Sequence, residues 1–180
     1  MVNLVQASRQ WATRPPEERF TSLPLMQKSL ELLRDNSRAA VFSSRQLSAI
    51  PNESTGLLIE GPGGHVAAPT HWAFGQLSNL SGAPAYYLRS LPAPLAADCL
   101  NYGFKVERDA VDTGILLTRD AEGVQLRAAT GPRYGRIWNV DVVRALQERF
   151  GDGISGDFRV PGIFGKALDS VTIENTTLIS

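Results

Sequence analysis

The sequence predicts an α+β fold, an antiparallel sheet with helices packed on one face. Three observations lead there. Strand-like and helix-like segments alternate irregularly, without the regular strand–helix–strand rhythm that builds a parallel sheet. Gly114–Thr118 and Val124–Arg127 flank the short loop Arg119–Gly123, which ends in glycine and reads as a β-hairpin. The 180 residues, 43% hydrophobic and 20% charged, can bury a core of their own without a disulfide or a structural metal, so one domain over 1–180 is expected.

Each element has a local signal. Residues 1–12 lack a hydrophobic period and read as an arm. Thr13-Arg-Pro-Pro-Glu-Glu-Arg19 has the cap, the early prolines and the acids of a first helical turn. A second start at Ser22-Leu-Pro24 leads into Leu25, Met26, Leu30 and Leu33 at helical spacing, ending near Asn36. Ala39–Ser43 and Thr55–Glu60 are short strands, separated by a turn-rich stretch around Pro51-Asn52, and Gly61-Pro-Gly-Gly64 is a turn. Thr70 caps a helix with Trp72, Leu77 and Leu80 as its apolar face, closed by Ser81-Gly82. Pro84–Arg89 is a helical turn. Pro92 to about Val106 is a longer helix with Leu95, Cys99 and Tyr102 on one face. Beyond the hairpin, Thr130–Gly135 is a turn. Asn139 caps a helix buried through Val142, Val143, Leu146 and Phe150, and Gly151 stops it. A glycine-rich stretch follows, then strand material at Val171–Ile173 and Thr177–Ile179, which must pair within the sheet or offer an edge to another subunit.

Composition bounds the function. No apolar run is long enough to span a bilayer and the first residues lack a secretory pattern, so the expected setting is soluble and cytoplasmic, with no membrane partner. The single Cys99 excludes an internal disulfide and reads as a packed thiol. His65 and His71 would need further ligands for a metal site, with only Glu60 and Glu53 nearby, so they read as surface or capping histidines. Asp152, Ser155 and Asp157 lack the spacing of a calcium loop. No nucleotide, metalloprotease or nucleophile-elbow motif occurs, so no cofactor is expected and an enzyme, such as a nuclease needing clustered acids, is not favoured. Net charge is zero, with 18 basic and 18 acidic residues. The basic ones concentrate in 1–50, seven against four acids, and in 121–166, seven against five. Arginine outnumbers lysine fifteen to three; arginine suits phosphate and stacking contacts, but a GC-rich genome produces the same bias without any functional cause.

One constellation stands out. Arg127, Arg133, Tyr134, Arg136 and Trp138 interleave guanidinium groups with flat aromatic rings around a glycine–proline turn between a strand and a helix. Guanidinium groups hold phosphates and aromatic faces stack bases, the combination that single-strand binding uses. Lys105 and the amino-terminal arginines would add charge. The structural alternative is that Ile137 and Trp138 pack in the core while the arginines pair with acids such as Asp141. Tyr86, Tyr87 and Arg89 form a second aromatic–basic cluster, and Arg9, Trp11, Arg14 and Arg19 a third.

Four stretches, in order, carry a resemblance to a family: Arg9–Phe20, Tyr86–Pro92 with Leu100-Asn101 after it, Arg133–Asn139, and Glu174–Leu178. Together they resemble the phage/plasmid-like proteins, a family of unknown function found in bacteriophages, prophages and conjugative plasmids. The resemblance implies a mobile-element setting and involvement with DNA, and carries no reaction with it. Members of that family continue past the Thr-Thr-Leu strand into an acidic, strand-rich segment, so this sequence reads as truncated relative to them. The first functional expectation is a non-catalytic protein acting on single-stranded DNA in recombination or replication, as annealing proteins do, with self-association into a homo-oligomer as its corollary by analogy of fold. The alternative is an effector that binds a host defence or replication protein through exposed aromatic side chains.

Overall fold

The computed structural model describes residues 20–53, 56–105, 112–121 and 123–155. The expected arm, the turn at Thr13–Arg19, the amino-terminal aromatic–basic cluster and the strands after residue 170 lie outside the described residues. The α+β class is as expected. The chain divides into two compact units, one formed by residues 1–35 and 137–180, the other by 36–136.

The larger unit holds a six-stranded sheet. In chain order its elements are β1 (Ser37–Ser43), β2 (Ser48–Asn52), β3 (Gly56–Glu60), β4 (Val66–Pro69), α2 (His71–Ser81), α3 (Ala85–Ser90), α4 (Ala93–Lys105), β5 (Asp112–Asp120) and β6 (Gly123–Thr130). The strands lie in the order β1-β5-β6-β4-β3-β2. Four neighbouring pairs are antiparallel and one, β4 with β6, is parallel. That pair is the departure from a purely antiparallel sheet, and the connection between its strands carries α2, α3 and α4.

Two strands were not expected. β2 takes up the stretch read as a turn around Pro51-Asn52, and β4 precedes the helix that starts beyond Pro69. Pro51 is tolerated because β2 is an edge strand, where a missing N–H costs no ladder bond if it faces outward. The edges β1 and β2 are joined only by Ser44–Leu47, of which Ser44–Gln46 is a single 3-10 turn. Five residue steps reach at most about 18 Å. Six flat strands at ~4.8 Å spacing would hold the two edges about 24 Å apart. The sheet must therefore curl, and a Cβ placed on Gly61, at the far end of β3, would meet the Phe42 ring of β1 at 3.7 Å.

The core lies on the concave face. Ile59, Ala67, Ile115, Leu126 and Ala129 of the sheet pack with Ala73, Phe74 and Leu77 of α2, Leu88 of α3, and Ala96, Leu100 and Phe104 of α4. The apolar faces of the two longer helices are rotated from those expected. Trp72 is 80% exposed, and the buried stripe of α2 is Ala73, Phe74, Leu77, Ser78 and Ser81. In α4, Leu95 and Tyr102 are exposed, Cys99 is half-buried, and Ala96, Ala97, Leu100, Gly103 and Phe104 face inward. The reason is close approach. A Cβ on Gly103 would collide with the Ser81 carbonyl, so α4 meets α2 backbone to side-chain-free backbone, and only a small-residue face fits there.

The smaller unit pairs α1 (Leu23–Asp35) with α5 (Asn139–Phe150). Ser22 Oγ accepts from Leu25 N–H, as a cap should. Leu23 is fully buried and donates its N–H to the Asp152 carbonyl, while Leu25, expected on the apolar face, is exposed. Met26, Leu30 and Leu33 are half-buried. In α5 the buried residues are Val140 and Val143, Leu146 and Phe150 are half-buried, and Val142 points to solvent, so that expected face also shifts. The cap position falls on Trp138, whose carbonyl receives Asp141 N–H and Val142 N–H, one residue before the expected Asn139. Gly151, at φ +82°, closes the helix as its sequence position suggests.

Candidate nucleic-acid interface

The hairpin β5–β6 is built as read, but with an irregularity that decides where Arg127 goes. Leu116 pairs with Ala128 and Leu117 with Leu126, leaving Arg127 without a partner on β5. This is a β-bulge, an extra residue on one strand. Its consequence is visible in the core: Leu126 and Ala129, three apart, are both buried on the concave face, which an unbroken period of two forbids. Arg127 is the residue left over, and its side chain is exposed.

The bulge is fastened to the start of α2. Beyond Pro69, β4 leaves the sheet, and Thr70 N–H still donates to the Leu126 carbonyl at 2.9 Å. Thr70 Oγ1 accepts from Ala73 N–H at 3.3 Å, capping α2, and lies 3.5 Å from the Arg127 carbonyl. Further along, Ala129 N–H finds Gln76 Oε1 at 2.9 Å where a neighbouring strand is missing. The exposed Trp72 ring, in edge contact with His71, therefore stands two residues past Thr70, which anchors the helix to the bulge.

After β6 the chain turns, Tyr134 N–H donating to the Gly131 carbonyl at 3.0 Å. Arg133 is exposed and the Tyr134 side chain is 64% exposed. Among the described residues no carboxylate pairs with Arg127 or Arg133. Arg136 is half-buried and already engaged. Asp141, considered from the sequence as an arginine partner, is held instead by Arg34 at 3.5 Å and Arg144 at 3.6 Å, within the smaller unit. Ile137 is 78% exposed and so does not pack in a core. Trp138 is half-buried and belongs to the smaller unit, at the start of α5. Lys105 is exposed at the carboxyl end of α4, a helix that packs on the edge strand β2 rather than on β6.

The structure thus gathers Arg127 with the start of α2, and places Arg133 and Tyr134 on the turn that continues the same strand. The feature missed in the sequence is Trp72. The signal was there: 72 and 77 are five apart, whereas 73, 77 and 81 keep the spacing of four that one helix face requires.

The second cluster is partly structural. Arg89 Nη2 donates to the His71 carbonyl at 2.9 Å and its guanidinium lies over the Phe74 ring at 4.9 Å, fastening α3 to the start of α2. Tyr86, 88% exposed, and Tyr87 remain in solvent. His65 and His71 are both exposed, and among the described residues no group of three histidine, cysteine or acidic side chains is placed to hold a metal ion. No described helix is long and apolar enough to cross a membrane.

No protein-family model, curated protein or solved structure matches this chain.

Proposed function

We propose that this chain is a non-catalytic nucleic-acid-binding protein that holds single-stranded DNA, in a mobile-element setting of recombination or replication. The observation that carries the reading is the exposure of Arg127, Arg133 and Tyr134 on and just beyond β6, with neither arginine paired to a carboxylate among the described residues. A guanidinium group in solvent keeps its donors for phosphate oxygens, and an exposed ring offers a face on which a base stacks. Trp72, beside the bulge that carries Arg127, adds a second stacking face. A neutral chain has little long-range pull on a polyanion, so this surface works by a few close contacts and affinity falls with salt.

The test is fluorescence anisotropy of labelled single- and double-stranded oligonucleotides at about 50 and 200 mM salt. Tight, salt-sensitive binding of single strands that Arg127→Ala/Arg133→Ala loses supports the reading. No binding by the wild-type chain at either salt overturns it.

A second reading, a host protein as partner, rests on a different observation. Trp72 and Tyr86 are 80% and 88% exposed on adjoining helices joined through Arg89. Tyrosine, tryptophan and arginine dominate the energetics of protein interfaces. Trp72→Ala/Tyr86→Ala that weakens capture of one host protein while sparing oligonucleotide binding would favour this reading.

A further inference from the structure

The curl of the sheet leaves a cavity of about 270 Å³ in its concave face, at the end that the helices do not cover. Strand register orders its walls in rows. Ile115 of β5 lies opposite Ala40 and Ala129; one step along, Leu117 lies between Arg38 and Leu126; one step further, Arg119 lies opposite Val124. The bottom is apolar, with Leu47, Ile59, Ile115 and Leu126 almost wholly buried, and the mouth carries Arg119, Arg38 and His65. Among the described residues no carboxylate lines it. Arg38 is engaged with the Ser37 carbonyl, but the exposed Arg119 guanidinium has no partner among the described residues.

An apolar slot that ends in unopposed positive charge has a definite complement. We infer that this cavity binds a medium-chain alkyl carboxylate, its hydrocarbon tail along Leu117 and Leu126 and its carboxylate at Arg119. Its volume falls just below the ~300–1,000 Å³ of common small-molecule sites, which favours a chain of about eight carbons over a long fatty acid. The guanidinium–carboxylate bond sets orientation, since a planar fork matches two carboxylate oxygens. The tail supplies affinity by leaving water.

The test is isothermal titration calorimetry of the full chain with hexanoate, heptanoate and octanoate, and with octanol as the neutral analogue. The expected result is one site, affinity rising about fourfold per added methylene. Octanol should bind at least about tenfold more weakly than octanoate, for want of the charged hydrogen bonds. Arg119→Gln, at an exposed position that leaves the fold intact, should bring octanoate down to the octanol level and leave octanol unchanged. Leu117→Trp should block both ligands by filling the slot, with circular dichroism to establish that the variant is folded. Equal binding of octanoate and octanol, octanoate binding that Arg119→Gln does not change, or no binding of any chain length overturns the proposal.

Discussion

The Asn101 side chain acts as a seventh strand for Ala49. Its Oδ1 accepts the Ala49 N–H at 2.7 Å and its Nδ2 donates to the Ala49 carbonyl at 2.8 Å. β2 is an edge, so these two backbone groups point away from β3, and Ala49 is itself buried, beyond easy reach of water. An amide carries one acceptor and one donor head in the arrangement that a peptide group offers. α4 is thereby stitched to the sheet at one residue.

Asn101→Ala should therefore leave a buried N–H and a buried C=O unsatisfied, at a cost of about 1–3 kcal/mol for each group that water fails to reach. Asn101→Asp keeps the acceptor but, when ionised, sets a second carboxylate oxygen against the Ala49 carbonyl. It should be no more stable than alanine above the carboxylate pKa and recover as the carboxyl gains a proton to donate. Urea unfolding followed by circular dichroism measures both. An alanine variant as stable as the wild type would show that β2 is held by packing alone.

The close approach at Gly103 and the open space at Gly75 predict a pair of opposite effects. Gly103→Ala drives a methyl into the Ser81 carbonyl, and with backbone on both sides the helices must separate. Overpacking of this kind costs about 1–3 kcal/mol or more. Gly75, in the middle of α2, has open space around it, and its alanine variant should gain about 0.5–1 kcal/mol from helix propensity. Thermal unfolding of the two variants should move Tm in opposite directions.

The smaller unit should be acid-sensitive. The Glu31 carboxyl is held below its ordinary pKa, first by the hydrogen bond from Gln27 and then by that from Arg144, both at 2.7 Å. Asp152 is lowered by the Ser155 N–H, the Ile154 N–H and the Ser155 hydroxyl, which all converge on Oδ1. Both groups bind a proton less readily folded than unfolded. Their contribution is complete above the unfolded carboxylate pKa and is lost as pH falls through the lower folded pKa. Stability followed by denaturant midpoint should decline on that acid limb, and Glu31→Gln and Asp152→Asn together should flatten it.

Nucleic-acid binding through Arg127 and Arg133 makes a prediction about salt. Each phosphate contact on a single strand contributes about 0.7 to the slope of log affinity against log salt. Each single alanine variant should make that slope shallower by about this amount, across all sequences alike. Tyr134→Ala should weaken binding at every salt and leave the slope unchanged, since stacking releases no counterions. Arg127→Ala should leave thermal stability within about 0.5 kcal/mol of the wild type, because its side chain stands in solvent on the bulge.

Local signals were enough to mark most elements. The Ser22 and Thr70 caps, the glycine stops at Gly82 and Gly151, and the hairpin around Gly123 act through backbone groups a few residues away, so the sequence alone determined them and the α+β class they compose. The candidate arginines and Tyr134 were legible in the same way, as residue types on a turn. What the tertiary structure decided is which way side chains face. Leu95 and Tyr102 point outward because Gly103 and two alanines let α4 lie against α2, a contact between residues more than twenty positions apart. The residues of β2 and β4 by themselves look like turn or lead-in. β4 forms because β6 comes alongside it from far along the chain, and β2, paired to the next strand β3, has its outer edge held by Asn101 of α4. Arg127 reaches solvent because the pairing of β6 with β5 slips by one residue there, and the two strands settle that register only when both sets of apolar side chains seek the same face.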